Sequence, residues 1–257
     1  MNLVFIGSGN VAFHLSRAFS AAGHRIVQVW SRNIAHALEL AEPLGAVAVS
    51  SLADIDTAAD GYVIAVPDDY IASVSSALPA TDGLVLHTSG STPLSAISQP
   101  KAGVIWFPHS FVKSVPMDYG SFCCCFEASS PEVEDAVKGL LCGVAKTTFR
   151  LDSNQRRWAH LVSVMTNNFG HALNALAEQI SVRHGIDFAM LQPLIMATAC
   201  NASRPGLASR QTGPAARGDS KTIASHRDML APYPEALCVY DAMTALIQSS
   251  QKSVGNR

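Results

Sequence analysis

Val4-Phe5-Ile6-Gly7-Ser8-Gly9-Asn10-Val11-Ala12 decides the fold of this 257-residue chain. An apolar run of strand length ends in Gly7-Ser8-Gly9, and a helical pattern starts at once. That strand–turn–helix order is the context in which a G-x-G-x-x-A pattern holds a dinucleotide. Gly7 permits the tight turn, Gly9 lets the backbone approach a pyrophosphate, and Ala12 lets the helix pack on the sheet. The helix N-terminus offers unpaired N–H groups and a positive dipole end to the phosphates. Gly7, Ser8, Gly9, Asn10 and Val11 are therefore the expected cofactor cradle.

The next strand, Ile26–Trp30, ends in Ser31-Arg32-Asn33. A NAD-selective fold places an acid near this tip for the ribose 2′-hydroxyl. Here a hydroxyl and a guanidinium stand instead, and Arg32 is able to clamp a 2′-phosphate with charge-assisted bonds. The expected cofactor is NADP(H), held through Ser31 and Arg32. Ser31 also has the chemistry to cap the following helix.

Working outward, helix and strand patterns alternate to residue 150. Helices are expected at 13–22, 34–44, 68–78 and 131–143. Strands are expected at 46–49, 62–66, 84–86, 103–107, 121–127 and 146–150. This alternation predicts an α/β Rossmann fold, a doubly wound and mostly parallel sheet, over 1–151. Ligands in such sheets bind outside the carboxyl ends of the strands. Val66 and Pro67, His87-Thr88-Ser89-Gly90-Ser91 and Pro108-His109 are expected on that edge with Gly7 and Ser31. Asp68 and Asp69 suit the start of their helix by capping and dipole.

From Asp152 strand signals vanish. Trp158, Leu161, Val162, Met165, Phe169, Leu173, Leu176 and Ile180 recur at helical spacing, the spine of an all-helical domain over 152–257. His160, Val164, Asn167, Asn168 and His171 form a neighbouring stripe. The loop 205–218 carries Arg210 and Arg217 and reads either as an anion-binding loop or as an interface segment or linker. Asp219 or Ser220 caps the helix after it. The tail from Lys252 is expected to fray.

Charged residues make up 15% of the chain and the net charge is −2, which argues against a nucleic-acid partner. No apolar run approaches the roughly 18–20 residues that span a bilayer. The N-terminus opens on a strand, without a signal-peptide pattern. The six cysteines lack zinc-ligand spacing, and Cys123-Cys124-Cys125 reads as strand filling with Cys124 facing opposite to its neighbours. A reducing cytoplasm fits this usage, and no metal is expected.

The chain resembles a broad superfamily of two-domain oxidoreductases. It includes 6-phosphogluconate and 3-hydroxyisobutyrate dehydrogenases, pyrroline-5-carboxylate reductase and deazaflavin-dependent NADP oxidoreductases. More closely it is similar to bacterial Rossmann-like proteins whose C-terminal domain is of unknown function. The residues that carry this are 7–12, 30–33, 87–91, Asn167-Asn168-Phe169 and 212–219. The resemblance implies Ser89 beside the nicotinamide and Asn168 on the substrate. It also implies a substrate between the domains and a homodimer through the helical domain. In the hydroxyacid branch a lysine precedes that asparagine by four residues; here Val164 occupies its place, and valine transfers no proton. The proton source is then His87, His109, His160, His171 or water. Imine reduction makes weaker demands on a lysine.

The expected function is NADP-dependent hydride transfer to or from a small substrate, anionic if Arg210 and Arg217 contact it. A nucleotide-binding sensor without turnover, or a non-redox Rossmann protein, are the other readings.

Overall fold

The computed structural model describes residues 1–255, with side chains described to Gln251. The expectation of a frayed tail concerns residues 252–257, at and beyond that limit and outside the described side chains. Two compact units divide at Phe169/Gly170.

In the first unit the order is β1 (Asn2–Ile6), α1 (Asn10–Ala21), β2 (Arg25–Trp30), α2 (Ile34–Ala41), β3 (Val47–Val49) and β4 (Gly61–Ile64). There follow α3 (Ile71–Ala77), β5 (Leu84–His87), β6 (Ala102–Trp106), β7 (Cys123–Ala128), α4 (Pro131–Leu141), β8 (Thr147–Arg150) and α5 (Ser153–Ser163). Among the described residues, eight strands form one sheet in the order β3-β2-β1-β4-β5-β6-β7-β8. Strand order reverses direction beside β1, which pairs with both β2 and β4. This is the switch point at which such sheets open a ligand crevice.

Every strand pair is parallel except β6–β7, which is antiparallel. Leu3, Phe5, Val63, Leu86 and Ile105 face one core layer under α1, α2 and α4, and Val4, Ile6, Tyr62, Ile64 and Val85 face the other. Strands buried on both faces explain the continuous apolar runs of the sequence. Cys124 joins Phe122 and Phe126 in the first layer, opposite to its neighbours. Burial raises the thiols of Cys124 and Cys125, the latter to about 11, so both are inert fillers.

Gly7 needs its glycine twice over. Its φ is +125°, and a Cβ there would stand 2.2 Å from the Ala65 carbonyl oxygen. The turn is fixed by Gly7 N–H donating to Trp30 O and by Ala65 N–H donating to Ile6 O, both at 2.8 Å.

After α5 a π-helical turn spans Val164–Asn168 and closes on Phe169 N–H donating to Val164 O. The second unit holds α6 (Phe169–Arg183, starting at the boundary), α7 (Gln192–Ala202), α8 (Pro214–Arg217), α9 (Ser220–Leu230) and α10 (Pro234–Gly255). Asp219 caps α9 by accepting from Thr222 N–H. The expected apolar spine is helical but largely uncovered: Trp158 is 62% exposed, and Leu161, Val162, Met165, Phe169 and Leu173 are exposed too. Among the described residues, no helix is long and apolar enough to cross a membrane.

Candidate functional site

Two cavities open on the carboxyl edge of the first unit's sheet. The first, of about 370 Å³, runs from Gly9-Asn10-Val11 past Ala65-Val66-Pro67-Asp68 to Thr88-Ser89-Gly90. The second, of about 300 Å³, is lined by Ser110, Ser163, Val164, Thr166, Asn167 and Asn168. Trp106, His109 and His160 line both.

The first cavity fits a dinucleotide. Gly9 caps α1 with no side-chain hydrogen bond, and no acid stands in the first turn, so the turn's N–H groups stay open to an anion. No heavy atom lies within 4 Å of where a Gly9 Cβ would be, so the cradle is open at the backbone. Ser8 Oγ donates to Ser31 Oγ at 3.0 Å, joining the cradle to the tip of β2. Asn33, not Ser31, caps α2 by accepting from Ala35 N–H, and this leaves Ser31 for the ligand edge. Arg32 is exposed, has no carboxylate partner among the described residues, and lies over the Tyr70 ring at 4.9 Å.

The loop after β5 is rigid for local reasons. Ser89 Oγ donates to Asp68 Oδ2 at 2.8 Å and accepts from Ser91 and Thr92 N–H. Its one proton is directed to Asp68, and Ser89 shapes the cavity wall. The Asp68 carboxylate bonds these serines and, among the described residues, caps no backbone N–H. Asp68 and Asp69 do stand in the first turn of the helix that opens at residue 68, where the dipole favours them.

His87 departs from its expected place. It is fully buried and lines neither cavity. Nδ1 accepts from Ser89 N–H, and Nε2–H faces Pro93 O at 3.3 Å. Burial, then the Arg156 charge, hold its pKa down to about 4. A neutral, doubly bonded imidazole positions the loop and is a poor acid at neutral pH. The unfolded chain, at the ordinary 6.5, takes up this proton first, so stability rises with pH across the window. Acidification from pH 6.5 to 4 should cost roughly 3 kcal/mol of stability through this group. Urea unfolding at several pH values should show that slope, and His87→Gln should flatten it.

The other side of the site comes from α5. Arg156 is fully buried, and its guanidinium bonds Glu127 on β7 and Thr92 O. Ser153 Oγ donates to the same Glu127 and accepts from Leu94 N–H. One turn further on, His160 packs edge-on against Trp106 with ring centroids 5.8 Å apart. The π turn then presents Thr166, Asn167 and Asn168 to the second cavity, and Asn167 Nδ2 donates to Ser110 Oγ at 3.3 Å. Such turns are frequent at functional sites.

The family model of the coenzyme F420-dependent NADP oxidoreductases matches residues 2–87, and that of a domain of unknown function, DUF2520, matches residues 122–247. A Bacteroides fragilis protein described as a "putative NADP oxidoreductase" is 31% identical, with a TM-score of 0.88 over 96% of this chain and 98% of that one. The chain belongs to this family of NADP oxidoreductases. Its cofactor class is therefore NADP(H), and its fold is the Rossmann type with a helical C-terminal region. A Thermotoga maritima protein shares the fold at 23% identity, with a TM-score of 0.74 over 99% of this chain and all of that one. So does a Plasmodium falciparum pyrroline carboxylate reductase with NADP bound, at 11% identity and a TM-score of 0.61 over 98% of each chain. No curated protein matches the sequence.

Of the residues expected from sequence, Gly9, Asn10, Val11, Val66, Pro67, Ser89 and His109 line the first cavity, and His109 and Asn168 line the second. Gly7 and Ser8 build the turn behind them. His171, Arg210 and Arg217 belong to the second unit and line neither cavity. Arg210 spends its guanidinium on the carbonyls of Asn201, Arg204 and Pro205, closing the end of α7. Trp106, Ser110 and Tyr70 were missed: an aromatic within a strand or helix reads as core, and nothing local to Ser110 marks it.

Proposed function

We propose that this NADP oxidoreductase reduces a C=N bond, in preference to C=O, in a small molecule held in the second cavity. The single observation that carries the reading is the common wall of the two cavities, Trp106, His109 and His160. When bound, the dinucleotide supplies the hydride. The residues of this chain supply the rest: the Gly7–Val11 turn seats the pyrophosphate, and Ser31 and Arg32 bind the 2′-phosphate. Asn167 and Asn168 orient the substrate, and the cavity walls exclude water. The missing lysine at Val164 favours imines, whose nitrogen is itself basic. An anionic substrate is not part of this reading, because Arg210 and Arg217 line neither cavity and Arg210 is engaged by backbone carbonyls.

NADPH and NADH titrations followed by nucleotide fluorescence, then a panel of imines, keto acids and hydroxy acids followed at the NADPH absorbance band, test this. Tight NADPH binding without turnover of any class would instead favour a sensor. Arg32→Ala should weaken NADPH by about 10- to 100-fold, a charge-assisted contact's worth, and NADH far less. Equal losses for both nucleotides would remove Arg32 from the 2′-phosphate.

A homodimer and a reducing, cytoplasmic setting belong to the same reading. The uncovered Trp158, Met165 and Phe169, and Val182, Met190, Leu194 and Met229 in the second unit, are large apolar side chains of the kind that an interface covers. The six cysteines are free thiols. Light scattering at micromolar concentration should give twice the chain mass, and a monomer would refute the dimer.

A further inference from the structure

We infer that His160 is the residue that delivers a proton to the heteroatom of the substrate, an assignment that rests on the oxidoreductase reading above. Its imidazole stands in the wall common to both cavities, where a group must stand to serve the reacting bond. Neither ring nitrogen has a hydrogen-bond partner among the described residues. His109, by contrast, gives Nδ1–H to Ser110 O at 3.2 Å and is exposed, and both nitrogens of His87 are engaged. His160 is half-buried, so its ring stands at the cavity surface and away from bulk water on one side.

Two features make this place a built one. A Cβ at Gly90 would lie 2.5 Å from His160 Cδ2 and 2.9 Å from the Trp106 ring. The absent side chain at Gly90 is what lets the imidazole lie against the cofactor-side loop. Second, Arg156 sits one turn earlier on the same helix face and is tied to Glu127 and to Thr92 O. The ring is thus delivered from a helix clamped to the sheet and to the same loop. Arg156 acts as the positioning residue.

In the reduction, the C=N carbon gains hydride from the reduced nicotinamide nucleotide, which is thereby oxidised. The π pair moves onto nitrogen, and the nitrogen takes the N–H proton of the His160 imidazolium. His160 is left neutral and regains a proton from solvent. The titratable groups that line the cavities with it are Asp68 and His109. The charges on its own helix are Arg156 and Arg157, and the loop 88–92 contributes only Thr88, Ser89, Gly90, Ser91 and Thr92.

The test uses the full chain in a W30F/W158F background, in which Trp106 is the sole tryptophan. A protonated imidazole in edge contact quenches indole emission. Trp106 emission should therefore fall when acidification protonates the ring beside it. His160→Gln should abolish this transition and His109→Gln should leave it. In a second arm, with NADPH and 2-methyl-1-pyrroline as the probe, His160→Gln should lower kcat at least ~100-fold with little change in KM. A pH-independent Trp106 emission, or H160Q turnover within about threefold of wild type, overturns the assignment. A wild-type protein that binds no NADPH overturns the oxidoreductase reading instead. If NADPH binds but the probe is not turned over, the preference for imines falls and the emission transition decides the role of His160.

Discussion

Gly7→Ala should cost about 3 kcal/mol or more of stability, a large share of the roughly 5–15 kcal/mol that holds a domain together. The residue has φ +125°, and its new Cβ would meet the Ala65 carbonyl oxygen at 2.2 Å and the carbonyl carbon at 2.7 Å. Both atoms are backbone just past the end of β4, so no side chain can swing away. Relief requires moving the end of β1 off β4, which breaks the bond from Ala65 N–H to Ile6 O. Gly9→Ala is the control. Gly9 has φ −76°, and nothing stands within 4 Å of its Cβ. Its fold should be intact to within about 1 kcal/mol, while the methyl group projects into the cradle and weakens NADPH at least ~10-fold. Urea denaturation midpoints and NADPH titration of both variants separate the roles. Equal stability of the two would mean that the turn is softer than its geometry.

The turn was legible because glycine leaves a mark in sequence that few other requirements leave. The strand positions were legible for a related reason: burial on both faces writes continuous apolar runs. Pair direction was not. The reversal between β6 and β7 changes no residue type, so a mostly parallel sheet is as far as the pattern reaches.

His87 and His109 show the limit for single side chains. Both follow apolar strands at the ligand edge, and the sequence gives them the same standing. The chain after His87 folds back, with Ser89 N–H and Pro93 O closing on the ring. The chain after His109 runs on across the surface, and its ring stays exposed. The difference lies in the path of the loop. His160 and Asn167 lay in the right stripe, but the π turn adds a residue to one turn of the helix. That places Thr166, Asn167 and Asn168 together on the cavity, which a uniform 100° step does not. A buried ion pair between residues 29 apart, Glu127 and Arg156, leaves no periodic trace at all.

Arg156→Ala should cost about 3–5 kcal/mol, the loss expected when one partner of a buried pair is removed. The guanidinium is fully buried, and Glu127 is only 16% exposed. Truncation leaves the Glu127 carboxylate with Ser153 Oγ alone and leaves Thr92 O without its donor. Glu127→Gln should be costly for the converse reason, since it strands a buried cation. The pair itself is imperfectly satisfied, because Arg156 Nε has no partner among the described residues. Replacing both groups by apolar side chains of similar volume, R156M/E127M, should therefore recover most of the loss, and a double-mutant cycle in urea should return a coupling of about 2 kcal/mol or more. The surface pair Lys138–Glu134, within α4, should show no comparable coupling, because solvent screens both charges. The site makes the opposite demand. Even where stability returns, the apolar pair has no donor for Thr92 O, so the loop carrying Ser89 and Gly90 loses its tie to α5. NADPH affinity should then stay below that of the wild type while the urea midpoint recovers. Joint recovery of both would mean that this ion pair serves stability alone.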